Sequence, residues 1–311
     1  MNQNEDGVCY TSIMKVSVVL PTYNRAQSIR SAIDSVLAQT YRDFELIIVD
    51  DGSTDSTREL VEQYSDKRIR YIRHEKNRGL AAGRNTGARD ARGIFIANQD
   101  SDDIWMPEKL QREVHALESA YPRVGVAYSR LEKVFSEGAG PVYIPASNAA
   151  VANGNLHRKL LEGNFITMQV ALMRKECFEK VGGFDESLSA FQDWDFWLRV
   201  SNAYEFVYVP EVGVRARVSL DSITKNKAKR LIARTAIFRK YQEEFSQYPA
   251  VYATHAFSIG NAYALRKEWR KARVYLRQAA VYAPTLRHVG AFMLALIGSQ
   301  KLYRRIARVV S

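Results

Sequence analysis

The sequence predicts an α/β fold with a mostly parallel central sheet flanked by helices. Between residues 16 and 97, short runs rich in β-branched residues alternate four times with segments of helical spacing or small residues. The connections are short, which is typical of right-handed strand–helix–strand units in a parallel sheet. Polar or acidic residues follow several of these runs. Because ligands bind at the carboxyl ends of parallel strands, we expect the site at that edge.

The individual elements follow from their patterns. Ile29, Ile33, Val36 and Leu37 recur at the spacing of an amphipathic helix, and residues 79–91 indicate a helix of small residues. Strands are predicted over 16–20, 44–49, 69–72, 93–97, 125–128 and a stretch near 167–173, and further helices through Leu60 and Val61 and over 107–120.

An acidic cluster, Asp100, Asp102 and Asp103, follows the strand predicted over 93–97. Three carboxylates within four residues repel one another, and a cation among them relieves the repulsion. Carboxylate oxygens suit Mg²⁺ or Mn²⁺, and both ions commonly hold a substrate phosphate as well. The alternative is that Asp102 or Asp103 caps a helix opening at Pro107, since proline is favoured at a first helical position. Capping uses one side chain and leaves two acids unexplained.

No glycine-rich phosphate cradle occurs in the sequence. A dinucleotide oxidoreductase would show G-x-G-x-x-G after the first strand, and a P-loop enzyme would show G-x-x-x-x-G-K-[ST]. Neither motif is present. A bound nucleotide would therefore be held by side chains and a metal ion.

The charge of the chain is unevenly distributed. Of the net +11, residues 225–311 hold 18 Lys or Arg and three Glu, which leaves a balance of −4 for residues 1–224. With 311 residues, we predict a disordered tail over 1–14, an α/β domain over 15–224 and a basic helical extension over 225–311. The positive charge of the extension indicates an anionic partner, either nucleic acid or acidic lipid. The alternative is that the extension has no specific partner.

The remaining composition excludes several classes of protein. Residues 1–11 are polar, so we expect no signal peptide, and no apolar run reaches the roughly 20 residues that span a bilayer. The two cysteines, Cys9 and Cys177, form neither a metal site nor a disulfide framework. We expect a cytoplasmic or peripheral protein.

Five stretches together resemble the signatures of family 2 glycosyltransferases. They are VSVVLPTYNR (16–25), ELIIVDDGSTD (45–55), NRGLAAGRNTG (77–87), DSDDIWMP (100–107) and VGGFDESLSAFQDWDFWLR (181–199). These enzymes have the GT-A fold and move a sugar from a nucleotide-diphosphate donor. The resemblance implies an inverting, metal-dependent hexosyltransferase that uses a UDP- or dTDP-type donor. It also implies a role in bacterial cell-surface polysaccharide or glycolipid biosynthesis.

The resemblance also implies roles for residues at the strand ends. Pro21 and Tyr23 fall where the family holds the nucleotide base, and Asp51 falls where a carboxylate accepts the base N–H. The alternative for Asp51 is capping of the helix after Gly52. Arg84 would reach the donor diphosphate, although a solvated helix face would also accept an arginine.

The acidic cluster matches the D-x-D motif of this family. Asp100 would contact the ribose and the metal, and Asp102 would bind the metal directly. Asp103 is then the residue expected to cap the following helix.

The later signature supplies the proposed chemistry. In this family the first acid of the QDWDFW motif is the general base, which is Asp193 here. A helix cap is the alternative for Asp193. Asp195 is a poorer candidate because it points to another side of the helix. Trp194 could stack on a sugar or simply pack, and residues 137–155 are expected to form a long loop over the acceptor side.

Two departures from the family pattern affect these expectations. Gln192 replaces a frequent glutamate, which removes a negative charge beside Asp193 and would lower the pKa of the base. Ser219 stands where a histidine often helps to bind the metal or the diphosphate. Metal binding is then weaker, or Arg215 and Arg217 neutralise the phosphates directly.

Residues 225–311 have a helical pattern. Segments 255–265 and 267–282 resemble one hairpin of the tetratricopeptide type, which must pack on the catalytic domain or on a partner. The end, 286–311, mixes apolar residues with arginines, as in membrane-surface helices. A helix packed on the protein with a solvated basic side is the alternative.

The expected partners follow from both halves of the chain. They are a nucleotide-diphosphate sugar donor, a glycan or lipid-linked glycan acceptor, and an anionic membrane at the inner face of the plasma membrane through residues 286–311. The alternative function is a nucleic-acid-binding or scaffold protein that uses the basic tail, although no nucleic-acid-reading motif is present and no specific nucleic acid is expected.

Overall fold

The computed structural model describes residues 14–135, 140–146, 153–217, 227–300 and 302–303. The predicted tail, Cys9 and Ser219 therefore lie outside the described residues, apart from Met14. The chain divides into two compact units. One unit extends to Ser187 and includes Gln192–Leu220, and the other contains Leu188–Phe191 and the chain from Asp221 onward.

Within the described residues, the first unit is built on a sheet of nine strands. The strands are β1 Val16–Thr22, β2 Phe44–Asp50, β3 Ile69–Arg73, β4 Phe95–Asn98, β5 Asp103–Trp105, β6 Val124–Val134, β7 Val142–Ile144, β8 Ala171–Arg174 and β9 Glu205–Arg217. Their order is β3-β2-β1-β4-β8-β6-β9-β5, and β7 pairs with β6. Strands β1 to β4 are parallel, as the sequence predicts. Strand β8 is antiparallel to both β4 and β6, so β6 and its parallel neighbour β9 run in the direction of the first four strands.

Helices of the first unit connect and cover these strands. They are α1 Ile29–Leu37, α2 Thr57–Glu62, α3 Leu80–Asp90, α4 Lys109–Glu118, α5 His157–Glu162, α6 Lys175–Val181 and α7 Gln192–Ser201. Every residue of β1 and β2 is buried. Such continuous burial is typical of strands with both faces covered.

Helix α3 lies directly on β1 because its residues there are small. A Cβ atom built on Gly87 would stand 2.4 Å from Cγ1 of Val19, and one on Gly83 would stand 3.1 Å from Cβ of Pro21. The helix therefore approaches the strand more closely than larger side chains permit. This contact brings Arg84 over the sheet edge where β1 and β4 end.

Three elements differ from the sequence predictions. Helix α4 begins at Lys109, so Pro107 precedes the helix instead of opening it. Residues 137–155 are not loop throughout, because their described part contains strand β7 and a bridge from Gly154 to Phe206. The strand predicted near 167–173 begins as a short 3₁₀ helix, Met168–Val170, and continues as β8.

The second unit is helical. Its helices are α8 Lys227–Lys240, α9 Gln242–Ser246, α10 Pro249–Leu265, α11 Trp269–Tyr282 and α12 Leu286–Ile297. Helices α10 and α11 form an antiparallel hairpin, in which the Tyr252 ring stacks on Tyr282 with 3.8 Å between centroids. Arg273 of α11 donates to the carbonyl of Ala295 and so ties α12 to the hairpin. None of the described helices is both long enough and apolar enough to cross a membrane.

Candidate active site

Three adjacent parallel strands end at one edge of the sheet. β1 ends at Thr22, β2 at Asp50 and β4 at Asn98, and the three lie side by side in the order β2-β1-β4. The residues that follow them therefore share this edge, as the sequence predicts. Pro21 is buried in β1 beneath α3, whereas Tyr23 just beyond the strand is 43% exposed. The tyrosine ring is accessible to a planar ligand.

Asp51 is buried and organises the loop that enters α3. Its carboxylate accepts hydrogen bonds from the backbone N–H groups of Arg78 (2.9 Å) and Gly79 (2.7 Å). It also contacts Nδ1 of His74 at 2.7 Å. Asp51 does not cap α2, because that helix begins at Thr57 after Ser56. The capping alternative for this residue is therefore wrong.

Arg84 and Asp100 form an ion pair at the carboxyl end of β4. Nη2 of Arg84 lies 2.8 Å from Oδ1 of Asp100, and the side chains are 5% and 26% exposed. Arg84 thus lies on the buried side of α3 and not on a solvated face. Its Nε atom is buried and has no hydrogen-bond partner within the described residues. An unpaired buried donor of this kind is costly unless a ligand or water accepts from it.

Asp102 lies beside this pair and faces Arg25 from the loop after β1. Oδ2 of Asp102 and Nη2 of Arg25 are 3.9 Å apart, and both side chains are about one third exposed. Burial raises the pKa of Asp102 above its ordinary value, Asp100 adds to the rise, and Arg25 opposes it. A bound cation would stabilise the ionised form of such a carboxylate.

Asp103 is not a helix cap. It begins β5, which pairs with β9, and its buried carboxylate accepts from Nε2 of Gln169 at 2.9 Å. Burial and the neighbouring Asp100 and Asp102 raise its pKa well above the ordinary value. The prediction failed because a three-residue strand shows no sequence periodicity.

Asp193 stands in the first turn of α7 and is partly buried. Its Oδ2 accepts from Nδ2 of Asn164 at 2.9 Å, and its Oδ1 accepts from the backbone N–H of Trp194 at 2.9 Å. Burial raises its pKa most, Arg84 lowers it, and Asp100 raises it further, with a net rise. Arg84 therefore acts electrostatically on both Asp100 and Asp193, which are 93 residues apart in the sequence.

The neighbours of Asp193 in α7 have structural contacts. Asp195 is fully buried and accepts from Nε and Nη2 of Arg199 at 3.0 and 2.8 Å. Trp194 is buried and its indole N–H donates to the carbonyl of Leu160 at 2.6 Å. Of the two roles considered for Trp194, these contacts favour packing.

Arg215, one of the two arginines expected near the phosphates, donates to Glu132 at 2.6 Å.

The carboxylates suit a metal ion that the substrate completes. Within the described ranges, no group of three or more His, Cys, Asp or Glu is arranged to hold a metal. Mg²⁺ and Mn²⁺ need fewer protein ligands, since one or two carboxylates with substrate phosphates and water suffice. Asp100 and Asp102 supply two hard oxygen donors whose mutual repulsion a cation would relieve. The residues therefore fit such an ion.

Sequence reasoning missed several polar residues around this edge. His74 directly follows β3, so the rule that selected Asp51 and Asp100 also applied to it. Asn164 and Gln169 carry no comparable sequence signal, whereas Arg25 belongs to the polar residues that follow β1. The positions of Asn164 and Gln169 depend on contacts across long sequence separations.

Comparison with known proteins identifies the family. The sequence model of glycosyl transferase family 2 matches residues 17–182. The chain belongs to glycosyl transferase family 2. An uncharacterized glycosyltransferase of Haemophilus influenzae is 31% identical over 223 residues, which are 68% of this chain and 74% of the relative. The chain is 46% identical over 99 residues to WfgD of Escherichia coli, named a UDP-Glc:alpha-D-GlcNAc-diphosphoundecaprenol beta-1,3-glucosyltransferase.

Coverage of the relatives differs widely. The WfgD match includes 32% of this chain and 39% of WfgD. An uncharacterized glycosyltransferase of Rickettsia felis is 34% identical over 60% of this chain, which spans only 30% of that protein's length. The shared part of these proteins is thus smaller than the whole of each relative.

Solved structures establish the fold. TarS residues 1–349 of S. aureus in complex with UDP-GlcNAc superpose with a TM-score of 0.67 at 21% identity, over 94% of this chain and 90% of that one. The mannosyltransferase PcManGT of Pyrobaculum calidifontis, solved with GDP-Man and Mn²⁺, gives 0.59 at 22% identity, over 95% and 84%. The expected GT-A fold with helices after it is confirmed.

Proposed function

We propose that this family 2 glycosyltransferase moves a sugar from a nucleoside-diphosphate donor to an acceptor hydroxyl with inversion at the anomeric carbon. The observation that carries the proposal is the arrangement of Asp100, Arg84 and Asp193. A D-x-D carboxylate, a buried arginine and a half-buried acid come from β4, α3 and α7 and interact electrostatically. Donor binding and proton transfer can therefore occur at one site.

The donor is held by side chains from the three strand ends. Tyr23 stacks on the base, and Pro21, which lies beneath α3, supports the base-binding end of the site. Asp51 accepts the base N–H. The guanidinium of Arg84 binds the diphosphate through Nε, which has no partner within the described part of the chain. Asp100 and Asp102 would hold Mg²⁺ or Mn²⁺. When bound, the metal ion supplies positive charge that stabilises the departing diphosphate.

Asp193 acts as the general base. Its carboxylate takes the proton of the acceptor hydroxyl while that oxygen forms a bond to the anomeric carbon. The bond between the anomeric carbon and the diphosphate oxygen breaks, and its electron pair stays on the diphosphate. Asn164 holds Oδ2 of Asp193, and the N–H of Trp194 holds Oδ1, so the base is oriented before the acceptor arrives.

The substrate class follows the relatives' names. UDP appears in the names of both WfgD and the TarS complex, so UDP is the first donor nucleotide to test, with dTDP the alternative. The WfgD acceptor is a diphosphoundecaprenol-linked sugar. We propose a glycan or lipid-linked glycan acceptor of cell-surface polysaccharide or glycolipid biosynthesis.

The helical unit is proposed to place the enzyme at the inner face of the plasma membrane. Leu286, Val289, Met293, Leu296 and Ile297 lie along one side of α12 and are 40–96% exposed. We refer to these five residues as the apolar stripe. Residues 225–311 also carry a net charge of +15. An apolar helix side in a basic unit fits an anionic lipid surface.

The metal and donor roles are tested by Asp102→Ala. Nucleotide binding that depends on Mn²⁺ should be lost, while the unfolding temperature stays unchanged, because Asp102 lies at the surface of the site. Calorimetry with UDP, with and without Mn²⁺, measures this. Asp90→Asn, at the far end of α3, is the matched control and should bind as wild type does. Unchanged affinity for UDP and Mn²⁺ in Asp102→Ala contradicts the metal role.

A further inference from the structure

His74 bridges two parts of the donor site. It directly follows β3, is 8% exposed, and contacts Asp51 through Nδ1 at 2.7 Å and Oγ1 of Thr86 through Nε2 at 2.9 Å. Thr86 lies on α3, two residues after Arg84. The imidazole thus connects the residue that follows β2 to the helix that carries Arg84.

The hydrogen-bond directions in this bridge are determined by the groups at its ends. An ionised carboxylate only accepts, so Nδ1 of His74 carries the hydrogen that points to Asp51. In the neutral ring Nε2 is then an acceptor and takes the hydrogen of the Thr86 hydroxyl. Thr86 therefore favours the tautomer that Asp51 requires.

The contacts of Asp51 leave one acceptor position for a ligand. Oδ1 accepts from His74 and from the N–H of Arg78, and Oδ2 accepts from the N–H of Gly79. A carboxylate has about four lone-pair sites, so roughly one on Oδ2 remains. The direction of that lone pair depends on the rotation of the carboxylate, which His74 and the two backbone donors fix.

We propose that His74 is a positioning residue that directs the remaining Oδ2 lone pair of Asp51 toward the N–H of a nucleobase, with Thr86 fixing its tautomer. This rests on the proposed function, in which Asp51 accepts that N–H. Uracil, thymine and guanine present a ring N–H, whereas cytosine presents a ring acceptor that a carboxylate repels. The His74–Asp51 pair therefore contributes to selection of donors with a ring N–H over cytidine donors.

The test compares two amide replacements of His74. In His74→Asn the side-chain NH₂ takes roughly the place of Nδ1 and can still donate to Asp51. In His74→Gln it falls nearer Nε2 and cannot. Calorimetry with UDP and Mn²⁺ should show His74→Asn within about 3-fold of wild type, and His74→Gln weaker by about 10-fold or more, the usual effect of losing a hydrogen bond to a charged group. Thr86→Val should weaken UDP binding by about 2- to 5-fold.

Binding of CDP separates positioning from general damage. Because CDP gains nothing from the Oδ2 lone pair, His74→Gln should lower the preference for UDP over CDP, while its unfolding temperature stays near that of His74→Asn. The proposal is overturned if His74→Asn and His74→Gln lose UDP affinity equally, or if UDP and CDP weaken in parallel.

Asp51→Asn distinguishes failure of the bridge from failure of the proposed function. If Asp51→Asn loses UDP affinity while His74→Gln keeps it, only the bridge is wrong. If wild type binds none of UDP, dTDP and GDP, or Asp51→Asn binds UDP as wild type does, the donor role of Asp51 fails and the bridge fails with it.

Discussion

Asp193 carries the proposed chemistry at a position where its charge is unfavourable. Burial raises its pKa in the folded protein above the value in the unfolded chain. Its contribution to stability is therefore fully present below the unfolded pKa and is lost as the pH rises through the folded pKa, because the fold disfavours the ionised carboxylate. The same rise brings the pKa closer to the operating pH, which suits a general base.

Asp193→Asn should therefore separate activity from stability. We expect kcat to fall by about 10²- to 10⁴-fold, with donor affinity nearly constant. Removing the disfavoured charge raises the free energy of unfolding, and losing one of the two hydrogen bonds that Asp193 accepts lowers it, so the net change should be within about 1 kcal/mol. Transfer assays and urea unfolding measure both effects.

The matched control for that variant is Asp195→Asn in the same helix. Asp195 is fully buried and paired with Arg199, so losing its charge leaves the arginine without its anion and should lower stability. Near-normal turnover in Asp193→Asn contradicts its role as general base, and equal destabilisation of the two variants contradicts the unfavourable charge at Asp193.

Arg84 should set the acid limb of the pH profile. It lowers the pKa of Asp193 and neutralises Asp100, which raises that pKa. In Arg84→Met both effects are lost, so the pKa of Asp193 rises and the base becomes protonated at a higher pH. The acid limb of kcat/KM should therefore move to higher pH, in addition to a loss of donor affinity. If the acid limb of kcat/KM, measured at saturating metal, falls at the same pH in Arg84→Met as in wild type, this electrostatic coupling is contradicted.

At the scale of elements, helix α3 depends on glycine where it meets β1. A methyl group on Gly87 would clash with Cγ1 of Val19 at 2.4 Å, and the side chain of a buried, β-branched valine has little freedom to move. Gly87→Ala should lower the free energy of unfolding by about 1–3 kcal/mol, as overpacking does. It should also weaken nucleotide binding, because the helix that carries Arg84 is displaced.

Gly290→Ala is the control for that substitution. Gly290 lies in helix α12 with nothing within 4 Å of the added Cβ, so alanine should be neutral or slightly stabilising. Urea unfolding of both variants tests the comparison. If the two glycine variants are equally stable, α3 does not need the close approach.

The first four strands were predictable because each carries a local signal. β1 and β2 are β-branched runs buried on both faces, and the residues after β1, β2 and β4 mark the site. Strands β5 and β7 have three residues each. They form only by pairing with longer strands, β5 with β9 and β7 with β6. No periodicity exists in so short a run, so the sequence pattern predicts a helix cap at Asp103 instead of a strand. His74 was missed because its role lies in contacts with Asp51 and Thr86 and not in a motif.

At the scale of the whole molecule, charge and exposed apolar area occur together in the helical unit. The α/β part of the sequence, 1–224, has a balance of −4, against +15 for 225–311. The apolar stripe forms one exposed side of α12, and the arginines at 304, 305 and 308 lie outside the described residues. A nucleic-acid-binding surface would present basic and polar groups, so the apolar stripe favours lipid over nucleic acid.

Binding to anionic vesicles tests this membrane role. Each Lys or Arg near an anionic surface contributes about 1 kcal/mol, and added salt should weaken the attraction because exposed charges are screened over about 8–10 Å. Deleting residues 286–311 should release the protein from vesicles of phosphatidylglycerol and phosphatidylcholine and spare donor hydrolysis. The deletion also removes Tyr303, which is buried and contacts Trp269, so loss of folding is a second outcome.

Substitutions within the apolar stripe avoid that ambiguity. Leu286→Gln with Met293→Gln changes side chains that are 96% and 54% exposed, so the fold should be retained. Cosedimentation should fall several-fold while donor hydrolysis is unchanged, because each exposed apolar side chain gains roughly 1–2 kcal/mol on entering lipid. Ile232→Gln is the matched control, since Ile232 is 64% exposed but lies on α8. If the double variant cosediments like the control, α12 does not bind the membrane and the lipid-surface role of the helical unit is wrong.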